Sequence, residues 1–336
     1  GWTYRYIEDA DSNVYHKAMA YSPDGATQGV LTLGGTRAVV KFLHGEEEPR
    51  VIWEEDFGGK FSRMRDGEVA DLYGDGSASI AVATHDQGVV AVLRPGSDGE
   101  FSVEELDREA DTFVHEIEVG DLNGDGALEI YATPSEPNKM DGSPQPGKVV
   151  RYVPATGEGR TVVADLGDRH AKEILVEDVD GDGTDELYVS VEAVSGGEVE
   201  IRRYDADTDP AAGAVIATLD DTLCRFLTAG DVDGDGSKEM VAAAFKSGLW
   251  LLRPDATAWT VESIDKDSSG FEHAAILTDL DEDGVDELYV ASDRDSEIRR
   301  YVWRDGQAER QVIHSHTDGL SRFTWNLMPV PVESLP

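Results

Sequence analysis

The sequence predicts an all-β protein: a seven-bladed β-propeller of four-stranded blades, six blades being the alternative. Two observations predict it. An acidic hexapeptide recurs as DLYGDG at 71–76, DLNGDG at 121–126, DVDGDG at 178–183 and 231–236, and DLDEDG at 279–284. The copies are 50, 57, 53 and 48 residues apart, a spacing that fits one blade per copy. Around each copy the same succession of short apolar or β-branched segments appears, with Gly and Asp between them.

The first strand of each unit precedes the hexapeptide, in RDGEVA, HEIEVG, KEILVE, RFLTAG and HAAILT. The second follows it, in IAVAT, IYAT, LYVSV, MVAAAF and LYVAS. The third ends in Arg-Tyr or Arg-Pro, as in VVAVLRP, KVVRYVP, VEIRRYD, LWLLRP and EIRRYVW. A fourth follows, in VIATL, WTVESI and RQVIHS. Helical periodicity is nowhere sustained. Such a unit cannot bury both sheet faces alone, so a ring of blades supplies the core and limits exposed edges.

These units set the expected blades of a single domain at 16–60, 61–113, 114–168, 169–222, 223–268 and 269–316. The first has a shortened, degraded turn. A seventh, composite blade is expected from 317–336 together with 1–15. SRFTWNLMPV resembles an innermost strand, and Arg5-Tyr6 matches Arg151-Tyr152, Arg203-Tyr204 and Arg300-Tyr301.

Composition narrows the function. Hydrophobic residues make up 40% of the 336, enough for a sizeable core. No apolar run is long enough to form a membrane-spanning helix. The opening GWTYRYIEDA has no basic stretch followed by an apolar one, so no signal peptide is read in this chain. Acids outnumber bases 69 to 29, a net charge of −40, which repels nucleic acid and anionic membranes. One cysteine, Cys224, excludes an intrachain disulfide and reads as a small core residue.

Asp-x-Asp-x-Asp-Gly with an acid at position nine is a calcium loop. The ion wants six to eight oxygens, positions one, three and five supply them, and Gly at six lets the backbone curl. Four copies are complete: Asp121, Asn123, Asp125 and Glu129; Asp178, Asp180, Asp182 and Glu186; Asp231, Asp233, Asp235 and Glu239; Asp279, Asp281, Asp283 and Glu287. The copy at 71 keeps Asp71 and Asp75 but has Tyr73 and Ser79 at positions three and nine, so about four sites are expected. The flanks are strands and the closing acid stands at nine, which distinguishes these loops from EF-hands.

At these loops the chain resembles the FG-GAP/VCBS repeats of β-propellers, which include the integrin α-subunit head and secreted bacterial and fungal proteins. The resemblance covers about 65–305 strongly and the ends weakly. It implies calcium at the turn between the first two strands of each blade, on the four sets just named. With the abundance of calcium outside the cell, it also implies an extracellular or periplasmic protein. It says little of activity, since the family's members include adhesion proteins, lectins, lyase and dehydratase domains and scaffolds.

Calcium leaves a second pattern unexplained. Six residues before each first Asp stand Arg65, His115, Lys172, Arg225 and His273, and looser alignment adds His16 and Arg322. At the start of innermost strands these side chains would ring one mouth of the central channel. The ends of the second strands, with His85, Asp86, Glu136, Glu192, Lys246, Asp293 and Arg294, point to the same face, as does the long connection 133–148. The bland reading is a base inherited through duplication and paired with a neighbouring blade.

The functional reading is a ligand site for a polar or anionic molecule, carbohydrate included, on His16, Arg65, His115, Lys172, Arg225, His273 and Arg322. The alternative is a lyase, dehydratase or cyclase in which His115 or His273 moves a proton and Arg225 with Lys172 stabilises negative charge. A scaffold or adhesion module with a protein partner is the third reading. His16, His115 and His273 would also offer nitrogen ligands to a transition metal. His314 and His316 read as a solvated pair, and Trp53, Trp250, Trp259, Trp303 and Trp325 as blade packing.

Overall fold

Each acidic hexapeptide closes a hairpin, because its sixth residue bends the chain back in a conformation that favours glycine. Gly76, Gly126, Gly183, Gly236 and Gly284 all have φ between 83° and 93°. The second strand that follows is wholly buried around an apolar centre, as in β6 (Ser79–Thr84) and β22 (Glu287–Ser292). The fourth strand is largely exposed, as in β8 (Phe101–Asp107) and β20 (Trp259–Asp265). Burial thus falls from the second strand of each unit to its outer edge.

The computed structural model describes residues 2–45, 48–136, 143–255, 258–317 and 323–335. Among them twenty-four strands form six four-stranded antiparallel sheets, each in simple sequence order. The sheets are β1–β4 over 15–55, β5–β8 over 64–107, β9–β12 over 113–165, β13–β16 over 171–219, β17–β20 over 224–265 and β21–β24 over 275–315. The innermost strands β1 (Tyr15–Tyr21), β5 (Met64–Ala70), β9 (Phe113–Gly120), β13 (Ala171–Glu177), β17 (Cys224–Gly230) and β21 (Ala275–Thr278) pack side by side in that order.

The core lies between sheets. Met19, Leu31 and Leu33 of the first sheet pack with Met64, Ile80 and Leu93 of the second. Similar clusters join the second to the third, the third to the fourth, the fourth to the fifth and the fifth to the sixth. Cys224 belongs to one of them, and burial pushes its thiol up to about 12.

The junction of the sixth sheet with the first corrects the blade count. Residues 2–14 and 323–331 form no strand, and the described C-terminal residues add only a 3-10 turn at Val332–Ser334. Both segments bridge the two sheets as irregular chain. Trp2 packs on Tyr289 and Tyr4 on His314, and further along Asp9 pairs with Lys41. Phe323 packs on Phe271, while Trp325 packs on His16. Pro329 and Pro331 have no N–H to give a ladder, which is reason enough for the expected composite strand to fail.

Neighbouring sheets come very close at the hexapeptides. Asp185 Oδ2 accepts from Asp121 N at 2.8 Å, and Asp286 Oδ2 from Asp231 N at 2.9 Å. A Cβ on Gly230 would stand 2.5 Å from Asp286 Oδ2. Gly230→Ala is therefore expected to destabilise the protein by about 1–3 kcal/mol through overpacking. Urea unfolding measures it, and a value near zero would show that the fifth and sixth sheets are not latched there.

Candidate anion site at the channel mouth

Five of the six innermost strands break register at one point, and the break falls on the basic position. In β1, β5, β13 and β17 the residues left unopposed are His16, Arg65, Lys172 and Arg225. In β9, His115 and Glu116 together oppose Thr133. A bulge of this kind re-aims a side chain without ending the strand. It gives the repeated base a local cause for facing the channel.

Arg65, His115, Lys172 and Arg225 line one cavity of about 690 Å³. All four are more than nine-tenths buried. Phe61, Phe113, Phe271 and Trp325 form its apolar walls. The Arg65 guanidinium lies 5.7 Å from the Trp325 ring centroid and that of Arg225 lies 5.1 Å from Phe271, within range of a cation–π contact. Arg225 Nη2 donates to Glu272 Oε2 at 2.7 Å. Among the described residues, neither Arg65 nor Lys172 makes an ion pair.

The remaining expected residues are placed elsewhere. His16 lines the narrower channel beneath, its Nδ1 2.6 Å from Met64 O. His273 precedes the short β21, with φ 51°, and is wholly buried. Its Nδ1 is 2.6 Å from Ala244 O and its Nε2 2.8 Å from Ser268 Oγ, so it ties the fifth and sixth sheets together and leaves the cavity to Phe271 and Glu272. Arg322 lies outside the described residues, as do 137–142 of the long connection. Of the second-strand ends, His85 and Asp86 line the cavity. Lys246, Asp293 and Arg294 line a smaller one of about 300 Å³ beside it.

Burial sets the protonation of this mouth. It holds His115 well below the ordinary imidazole value, helped by the charges of Lys172 and Arg65. Burial and Arg65 bring His85 to about 3, and burial brings His273 to about 4. Burial and Arg225 lower Lys172 to about 7, against the pull of Glu192 and Glu272. His115 Nε2 is buried and has no hydrogen-bond partner among the described residues.

Two features escaped the sequence reading. The aromatic walls carry a signal in Phe61-Ser-Arg63, Phe113-Val-His115 and Phe271-Glu-His273, a phenylalanine two residues before a base. Beneath the basic layer lies an acidic one. Asp66, Glu68, Glu116, Glu118 and Glu173 line a throat of about 230 Å³ around Lys17. Its signal was an acid just after each base, in Arg65-Asp66, His115-Glu116 and Lys172-Glu173. Asp66 Oδ2 accepts from Ile117 N and Glu173 Oε1 from Leu227 N, both at 2.9 Å, so these acids stitch one sheet to the next.

On the outer loops, three clusters bring ligand atoms within 4.8 Å of one another: Asp178, Asp180, Asp182 and Glu186; Asp231, Asp233 and Glu239; Asp279, Asp281 and Asp283. These all-oxygen sets are compatible with bound metal ions. The first Asp of each loop also caps the turn. Gly183 N donates to Asp178 Oδ2 at 3.0 Å and Gly236 N to Asp231 Oδ2 at 2.8 Å. The copy at 71 keeps the same cap, Gly76 N to Asp71 Oδ2 at 2.8 Å, so loop shape does not require positions three and nine.

The closing glutamates are buried, and protein groups engage both of their oxygens. Glu186 Oε2 accepts from Tyr188 Oη at 2.8 Å, and its Oε1 pairs with Arg203 Nη2 at 3.1 Å. Glu129 pairs likewise with Arg151, Glu239 with Arg253 and Glu287 with Arg300. The third-strand arginines, read from sequence as strand markers, thus anchor the loops from behind.

No protein-family model and no curated protein matches the chain, so the FG-GAP/VCBS resemblance rests on the loop sequences. Among solved structures it is similar to the Dos1 propeller, at 11% identity and a TM-score of 0.59, over 86% of this chain and 68% of that one. It also matches a Bacteroides fragilis protein provisionally assigned as a 6-phosphogluconolactonase, at 14% identity and a TM-score of 0.49, over 88% and 82% of the two chains. The first likeness and the six sheets define the class of protein as a β-propeller.

Proposed function

We propose that this propeller binds a small organic anion at the channel mouth. One observation carries the reading: three buried basic side chains, Arg65, Lys172 and Arg225, line a cavity with aromatic walls, and Arg65 and Lys172 make no ion pair among the described residues. A buried charge without a partner is costly, and an anionic ligand offsets that cost. The phenyl and indole walls suit an apolar or planar body, and the guanidiniums suit a carboxylate or phosphate. An acidic sugar stacked on Trp325 is a carbohydrate version of the same ligand.

The outer loops would hold calcium, with Asp178, Asp180 and Asp182 and their counterparts as ligands, since hard oxygen donors select a hard cation. This role is structural. A location outside the cytoplasm, where calcium is abundant, belongs to the same proposal.

Phenylacetate and its uncharged amide test the anion site, followed by Trp fluorescence or calorimetry. Phenylacetate is expected to bind and the amide to bind at least tenfold more weakly. Arg65→Ala and Lys172→Ala are each expected to weaken phenylacetate binding by about 10- to 100-fold, the worth of one charged hydrogen bond. Equal affinity for acid and amide, or wild-type affinity in both variants, would overturn the reading.

A further inference from the structure

Lys172 has a feature that anion binding does not need. Lys172 is 5% exposed, stands in the field of the two guanidiniums Arg65 and Arg225, and has no ion pair among the described residues. An ammonium there is penalised twice, by lost hydration and by like charge. Of the nearby carboxylates, Glu192 has one oxygen 3.0 Å from His170 Nε2 and Glu272 has one oxygen 2.7 Å from Arg225 Nη2, and neither lies within ion-pair distance of Lys172 among the described residues. Near neutral pH a large share of Lys172 is therefore the free amine, a nucleophile rather than a charge. His115, uncharged and with Nε2 unpartnered, lines the same cavity.

We propose that Lys172 forms an imine with the carbonyl carbon of a 2-oxo acid bearing an apolar or aromatic side chain. Arg65 and Arg225 would take its carboxylate, and Phe61, Phe113, Phe271 and Trp325 would enclose its side chain. The step balances within the two reactants. The Nζ lone pair forms a C–N bond as the C=O π pair moves to oxygen, and a proton passes from nitrogen to that oxygen to give the carbinolamine. The C–O bond then breaks, oxygen leaves as water with a second proton, and the nitrogen lone pair closes the C=N bond. His115 Nε2 is the group available to relay the proton. An imine activates its neighbouring C–C and C–H bonds, the chemistry used in decarboxylation, aldol cleavage and β-elimination.

This inference rests on the anion site, and its test separates the two. Phenylpyruvate is added to the full chain and reduced with cyanoborohydride, and the adduct is mapped by peptide mass spectrometry. The expected product is one secondary amine at Lys172, heavier by the mass of phenylpyruvic acid less one oxygen, suppressed by excess phenylacetate. Lys172→Arg, checked for an unchanged melting temperature, is expected to give no adduct at that site. Phenylpyruvate that binds by calorimetry but leaves Lys172 unmodified overturns the imine and keeps the anion site. Absence of both binding and adduct overturns both. Labelling of Lys172 no faster than that of surface lysines also overturns the imine.

Discussion

Lys17→Met is expected to destabilise the protein by about 3–5 kcal/mol at neutral pH, the cost of removing one partner from a buried charge group. The Lys17 ammonium sits in the acidic throat, 3.1 Å from Asp66 Oδ1 and paired also with Glu68. Burial would lower its pKa, but Asp66, Glu68, Glu116 and Glu118 outweigh burial and hold it well above the ordinary value. Methionine has a similar length, so the effect is chiefly that of charge.

The loss should depend on pH in a fixed direction. Burial, with neighbouring carboxylates, holds Glu116 and Glu118 well above the usual carboxylate range. Burial brings Glu173 to about 8. A carboxyl whose folded pKa is raised contributes stability below its unfolded pKa, and that contribution is lost as pH rises through the folded value. The throat therefore favours folding at about pH 4–5, where Glu116, Glu118 and Glu173 are protonated while Asp66, lowered by Lys17 against the effect of burial, stays ionised, and disfavours it towards pH 8. Without Lys17 this penalty has no compensation, so the deficit of the variant should be larger at pH 8 than at pH 5. Urea unfolding at both values measures it, and a deficit that does not change with pH would show that Lys17 does not neutralise the throat.

The second large effect is metal removal. Each filled loop contributes about 2.7 kcal/mol when the free ion is a hundredfold above its dissociation constant. Chelation is expected to lower the melting temperature, and the structure separates the ion from the turn it occupies. Asp71 caps its loop by accepting from Asp75 N at 3.0 Å and Gly76 N at 2.8 Å. Asp71→Ala should therefore cost about 1 kcal/mol per lost cap with or without calcium. Asp233 takes no part in the cap of its own loop and, among the described residues, pairs only with Arg253, an interaction worth little at this exposure. Asp233→Ala should be costly in calcium and nearly silent in chelator. Equal behaviour of the two variants in both conditions would mean that the loop at 231 holds no ion.

Much of this architecture was readable because duplication printed it repeatedly. The hexapeptides located the hairpins, and the apolar runs after them located the buried second strands. The blade count failed where the repeat stops. Arg5-Tyr6 and SRFTWNLMPV looked like fragments of a blade, but a short likeness to one strand carries no partner strand with it, and two prolines stand where a ladder would need donors.

The basic ring was readable as position and only partly as place. Arg65, His115, Lys172 and Arg225 meet because a bulge turns each of them into the channel. His273 holds the same place in the repeat but precedes a shortened strand, so it turns into the junction between two sheets. A bulge leaves no clear mark in the residue pattern. The acidic throat was missed for a different reason: in a chain of net charge −40, acids next to bases look like ordinary surface until the fold closes around them.

A crystal grown in bromide tests the anion site most directly, because anomalous scattering locates the ion whatever the natural ligand is. Ordered bromide is expected in the channel mouth, in contact with Arg65 and Lys172, in a protein whose overall charge repels anions. Bromide bound only to peripheral arginines, with none in the mouth at the same occupancy threshold, would contradict it.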